Sequence, residues 1–96
     1  MKIKIFDGST VEEELRRLLE AGYRPATMEE VWKLRKENKI PNQWYDTGTI
    51  FIGGNVRKAT MKELKDIRKV YEKGGRLLFL GYDGFDSYGR FVGVRK

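Results

Sequence analysis

The stretch "RLLFLGYDGFDSYGRFVGVRK", residues 76–96, places two apolar runs on either side of a loop rich in glycine and aspartate. The runs RLLFLGY (76–82) and RFVGVRK (90–96) are typical of β-strands. Between them, Asp83-Gly84 favours a turn with positive φ, and Gly89 directly precedes the second run. The stretch therefore predicts a C-terminal β-hairpin. The long loop is interpreted first as the hairpin connection and second as a contact surface.

Two further strands are predicted upstream. In KIKIF (2–6) the isoleucines alternate with lysines, which is typical of a half-buried strand. The short apolar run TIFI (49–52) ends at a pair of glycines. We expect the first and last strands to be neighbours in the sheet.

Three helices are predicted from their capping signals, in which a threonine is followed three residues later by a glutamate. The pairs are Thr10 with Glu13, Thr27 with Glu30, and Thr60 with Glu63. Residues 39–48, KIPNQWYDTG, have the composition of a loop. The order β-α-α-β-α-β-β predicts one α+β domain over residues 1–96, with helices packed on a mixed or antiparallel sheet.

The composition limits the chemistry. The 96 residues contain no cysteine and no histidine, which excludes disulfides and thiolate nucleophiles and removes the commonest general base. Asp83 and Asp86, even with Asp46, supply too few oxygen ligands for a calcium loop. We therefore expect a non-catalytic protein with no cofactor and no metal site.

Location and stability are also indicated by the composition. No run approaches the ~18 apolar residues of a membrane span, and the N-terminal residues do not resemble a secretory signal, so we expect a cytoplasmic protein without membrane contact. Charged residues make up 35% of the chain, a profile similar to that of proteins from hot environments. The chain is therefore expected to be thermostable.

Aromatic side chains in the predicted loops give the first functional hypothesis. Trp44, Tyr45, Phe85 and Tyr88 lie beside polar residues, where rings can stack on a partner's side chains, on sugars or on bases. The alternative is that these rings only cover the open end of a small core. We predict a binding module that contacts a protein or another macromolecule through these loops.

A lysine row in the third predicted helix gives the alternative hypothesis. Residues 57–76 contain eight basic and three acidic residues, so nearly all of the net charge of +6 lies here. Projected on one helix, five lysines share a narrow sector opposite the apolar face. These are Lys58, Lys62, Lys65, Lys69 and Lys73. The row predicts either a DNA- or RNA-binding surface without sequence preference or merely a solvated face.

Two segments 33 residues apart are alike: ATMEEVWKLRK (26–36) and ATMKELKDIRK (59–69). A duplication would explain the likeness. Capping chemistry, which selects threonine and glutamate at these spacings, would also explain it. One pair of segments does not establish a period.

The segment GYRPATMEEVW (22–32) resembles the corresponding segment of formylglycine-generating, sulfatase-modifying domains and related C-type-lectin-like folds. Gly22, Tyr23, Arg24, Thr27 and Glu30 match in place, and FIGG and RFVGVRK are similar to later strands of those families. The resemblance implies a fold in which the first and last strands pair and two helices follow the first strand. It does not imply the activity, because the catalytic cysteines of the generating enzymes have no counterpart here.

Overall fold

A six-stranded mixed sheet with helices on both faces forms the core of the computed structural model, which describes residues 2–81 and 88–95. The strands are β1 (Ile3–Ser9), β2 (Tyr23–Pro25), β3 (Tyr45–Ile52), β4 (Asn55–Lys58), β5 (Arg76–Leu80) and β6 (Gly89–Arg95). The helices are α1 (Val11–Glu20), α2 (Met28–Lys36), α3 (Met61–Lys65) and α4 (Ile67–Glu72). The predicted α+β class is confirmed.

The last strand lies at the centre of one half of the sheet. β6 pairs antiparallel with β1 along one edge, and Val94 is opposite both Ile3 of β1 and Arg24 of β2. Its other end forms a parallel bridge to β3 between Phe91 and Asp46. The predicted pairing of the first and last strands is confirmed, and the structure adds β2 and β4, which the sequence did not indicate.

The predicted C-terminal hairpin is wrong within the described residues. Asp46 of β3 pairs with Phe79 of β5 on one edge and with Phe91 of β6 on the other, so β3 lies between the two C-terminal strands. Hairpin pairing is only the commonest arrangement of consecutive strands. Here β5 pairs instead with β3, with Ile50 of β3 opposite Leu77 of β5.

Side chains of β6 alternate between two hydrophobic clusters, which places helices on both faces of the sheet. Phe91 belongs to the cluster built with α1, α3 and α4, whereas Val92 and Val94 belong to the cluster built with α2. Phe6 and Ile5 of β1 divide in the same way. This alternation fixes the register of β6, because a slip of one residue would exchange the two faces.

Each predicted threonine cap accepts a backbone N–H three residues later. Thr10 accepts from Glu13 at 3.2 Å, and full capping boxes form at Thr27 with Glu30 and at Thr60 with Glu63. The third predicted helix is interrupted, however. Asp66 has φ −138° and ψ 64°, which ends α3 before α4 begins. Aspartate competes for backbone hydrogen bonds and is a poor helix-interior residue.

The segment predicted as a loop over residues 39–48 contains the start of β3, which begins at Tyr45 and not at Thr49. Its buried residues stand beside turn-forming residues in the sequence, so the composition of this segment did not indicate a strand. None of the helices found in residues 2–81 and 88–95 is long and apolar enough to cross a membrane.

Candidate functional site

Four of the five predicted lysines line one groove. We call it the lysine groove; it lies beside α3 and α4 at the end of β3 and has a volume of about 690 Å³. The lining residues are Ile52, Thr60, Met61, Lys62, Glu63, Lys65, Asp66, Lys69, Val70 and Lys73. The break at Asp66 divides the lysines into two pairs, one on or at the end of each short helix, and both pairs still line the same groove.

The positive charges of the groove are largely uncompensated. Lys69 lies 3.7 Å from a carboxylate oxygen of Asp66. Lys62, Lys65 and Lys73 form no ion pair with any residue in the described parts of the chain. The groove therefore presents ammonium groups that an anionic ligand could neutralise.

The second acid of the groove is already neutralised by an arginine. Glu63 accepts two hydrogen bonds from the Arg57 guanidinium, at 2.8 and 2.7 Å, and one from the Thr60 backbone N–H at 2.9 Å. These contacts lower the pKa of Glu63 to about 2, with the Arg57 hydrogen bonds as the main cause. Glu63 therefore stays ionised, but the adjacent Arg57 cation offsets its charge, so it contributes little repulsion toward an anion.

The floor of the groove is apolar. Ile52 and Met61 are half-buried, and Val70 is buried in the core shared with α1. A surface that combines an apolar floor with a cationic rim differs from an ordinary solvated helix face, because it can accommodate both an anionic and an apolar part of a ligand.

Lys58 does not belong to this groove, which corrects the predicted row of five. It lies in β4, two residues before the Thr60 cap, and lines an adjoining recess of about 390 Å³, which shares Thr60 and Met61 with the groove. A residue that precedes the N-cap is outside the helix, so the helical projection did not apply to Lys58.

Two of the predicted aromatic residues meet in a second concavity, which we call the aromatic recess. It has a volume of about 210 Å³ and is lined by Asp7, Gly8, Trp44, Tyr88, Gly89 and Arg90. The Arg90 guanidinium carbon lies 4.5 Å from the centre of the Trp44 ring, a cation–π contact. Arg90 Nε is 3.5 Å from Asp7 Oδ2, and the Tyr88 side chain is 61% exposed.

Tyr45 is a core residue, so the expectation that it lies on a surface loop is wrong. Its side chain is fully buried and its hydroxyl donates a hydrogen bond to the Pro41 carbonyl at 2.9 Å. Burial raises the pKa of the Tyr45 hydroxyl. Phe85, Asp83 and Asp86 lie outside the described residues.

Some other exposed residues were not singled out from the sequence. Tyr71 of α4 is 38% exposed, and Phe79 of β5 is equally exposed. Burial of the hydroxyl, with the nearby charges of Asp46 and Glu12, raises the pKa of Tyr71 to about 12. Arg90 was also missed. A signal for it was available, because Asp7 and Arg90 carry opposite charges and lie in two strands that were expected to pair.

In residues 2–81 and 88–95, no group of three or more carboxylates could hold a metal ion. Comparison of the chain with protein-family models, with curated proteins and with solved structures finds no match in any of the three.

Proposed function

We propose that this chain is a nucleic-acid-binding accessory protein whose lysine groove binds phosphate groups. The observation that supports the proposal is the convergence of Lys62, Lys65, Lys69 and Lys73 on one groove. Lysines that neutralise phosphates release condensed counterions, which gives binding without sequence preference. Lysine lacks the planar fork that reads base edges, so the groove is suited to backbone contact.

The proposal is tested with a triple variant, Lys62→Gln, Lys65→Gln and Lys69→Gln, and a labelled oligonucleotide titrated at several salt concentrations. Each phosphate contact adds about 0.7 to 0.9 to the slope of log K against log salt, so the variant should lower the slope by about 2 to 3. The matched control changes Lys33, Lys36 and Lys39 to glutamine, which removes the same charge from a surface outside the groove.

The control should retain the slope of the unmodified protein. If both triple variants lose affinity equally, the binding is only a consequence of net charge. If the unmodified protein does not bind at low ionic strength, the proposal is wrong.

A second candidate function is a non-catalytic interaction module that contacts a protein or other macromolecule through the aromatic recess. The exposed Tyr88 ring beside the stacked Trp44 and Arg90 supports it. Tyr88→Ala should abolish capture of such a partner, whereas Trp32→Ala should not. Trp32 is a suitable control because its ring is 58% exposed and does not line the recess.

With either function, we propose that the protein is cytoplasmic, thermostable and non-catalytic. The support is compositional: no histidine or cysteine, and 35% charged residues. A melting temperature typical of mesophilic domains, about 45–65 °C, would contradict the thermostability.

A further inference from the structure

We infer that the lysine groove takes a single strand of nucleic acid, with unpaired bases against its floor, and discriminates against a duplex. This inference rests on the proposed function and specifies its ligand. It follows from three properties of the groove: its concave shape, its apolar floor and the positions of its cations.

The shape of the groove does not suit a duplex. Proteins that read a duplex insert a convex element, such as a helix or a two-stranded ribbon, into a major groove about 12 Å wide. Here four exposed lysines and several apolar side chains together line a depression of about 690 Å³. A duplex would contact the rim and leave the floor uncovered.

The floor of the groove suits the other half of a nucleotide. Ile52 and Met61 present apolar surface that is only half-buried, and the buried Val70 lines the same groove. A duplex keeps the faces of its bases stacked inside, whereas a single strand can lay them on such a surface. Burial of base faces would then add to affinity independently of the phosphates.

The cations lie on both sides of the break between the two helices. Lys62 and Lys65 belong to α3, while Lys69 and Lys73 belong to α4 or follow it directly. Each short helix thus brings one pair of lysines to the same groove, and a strand that follows the groove from α3 to α4 would contact both pairs. A single strand can therefore place phosphates on the rim and bases on the floor at the same time.

Three labelled probes with the same number of phosphates separate these contributions: a single strand, an abasic single strand and a duplex. We expect the single strand to bind most tightly, and the abasic strand to bind about fivefold more weakly because it loses apolar burial. The salt slopes of the two single strands should agree, since their phosphate contacts are the same.

A second experiment compares a variant of the groove floor, at Met61, with the equivalent variant at Met28 elsewhere in the chain. Met61 follows the Thr60 cap as Met28 follows the Thr27 cap, and both side chains are half-buried. Met61→Ser should remove most of the difference between the normal and abasic strands without changing the salt slope. Met28→Ser should leave that difference intact.

Equal affinity for the duplex, or for the abasic strand, would overturn the inference while leaving phosphate binding in place. Failure of all three probes to bind would instead remove the proposed function. Tighter binding of poly-glutamate than of the single strand would assign the groove to acidic peptides and would overturn the inference as well.

Discussion

Arg57 and Glu63 form a bidentate ion pair across the turn from β4 into α3, with N–O distances of 2.8 and 2.7 Å. Arg24 and Glu30 form the same pair across the turn from β2 into α2, at 2.7 and 2.8 Å. The two segments that look alike in the sequence therefore share one local structure. Capping explains their threonine and glutamate, but the arginine three residues before each cap is an additional shared feature.

The first prediction concerns acid stability. The Arg24 hydrogen bonds lower the pKa of Glu30 from 4.5 to about 2, and the Arg57 pair lowers that of Glu63 similarly. A lowered folded-state pKa stabilises the protein above the unfolded value, and this contribution is lost as the pH falls toward 2. For Glu30, which is about a quarter exposed, we expect a loss of about 1 kcal/mol after solvent screening.

Urea unfolding at pH 7, 5, 3 and 2 measures this loss. Glu30→Gln should be less stable at pH 7 and should lose less stability between pH 5 and 2. Glu20→Gln serves as the control, because the Glu20 side chain is 66% exposed at the end of α1. A parallel pH dependence for Glu30→Gln and the unmodified protein would contradict the assignment.

The second prediction concerns Gly48, which joins the two similar segments. Its N–H donates to the Ala26 carbonyl at 2.8 Å, and its carbonyl accepts from the Ala59 N–H at 2.9 Å. A Cβ at this position would lie 2.8 Å from the Pro25 carbonyl oxygen, a backbone atom that cannot rotate away. Gly48→Ala should therefore destabilise the protein by about 2 kcal/mol, as overpacking does.

Urea or thermal unfolding tests this prediction, with Gly53→Asn as the control. Gly53 has φ +59°, which asparagine tolerates, and no atom lies within 4 Å of an added Cβ. Its effect should stay within about 0.5 kcal/mol. A Gly48→Ala variant as stable as the control would show that β2 can move away from β3 at little cost.

Local signals made the helix starts predictable, and alternation made β1 and β6 predictable. The position of β5 in the sheet was not predictable. It depends on β3 lying between the two C-terminal strands, and pairing between distant segments is not encoded in either strand alone. Tyr45 was misplaced for a related reason: the start of β3 has the composition of a loop. The clustering of four of the five lysines was predictable from their spacing, and they line one groove despite the break at Asp66. The pairing of Arg90 with Asp7 required the β1–β6 register.

The third prediction uses Trp44 as a reporter of the aromatic recess. The chain has two tryptophans, so Trp32→Phe leaves Trp44 as the single emitter. A single-stranded oligonucleotide should leave this emission unchanged, because Trp44 does not line the lysine groove. A partner that docks in the recess should change it, since the Arg90 cation lies 4.5 Å from the ring.

The measurement is a fluorescence titration at low salt, with saturation checked by anisotropy of the labelled strand. An emission change at saturation that Tyr88→Ala abolishes would show that nucleic acid also enters the recess. The two candidate functions would then share one surface, and the lysine groove alone would not account for binding.

The fourth prediction concerns Asp66, the one acid of the lysine groove that no arginine neutralises in the described residues. Its carboxylate lies 3.7 Å from Lys69 and would repel a phosphate on the same rim. It makes no side-chain cap hydrogen bond to α4, so Asp66→Asn removes the charge without removing a cap. We expect the variant to bind an oligonucleotide about twofold to fivefold more tightly, because removal of one exposed like charge contributes up to about 1 kcal/mol. Glu29→Asn, which removes one exposed acid from α2, is the matched control and should change affinity much less because Glu29 does not line the groove.

Anisotropy titrations at one salt concentration give the affinities of both variants. Equal gains in the two variants would mean that the protein responds only to its net charge, and the phosphates would then have no preferred position along α3 and α4.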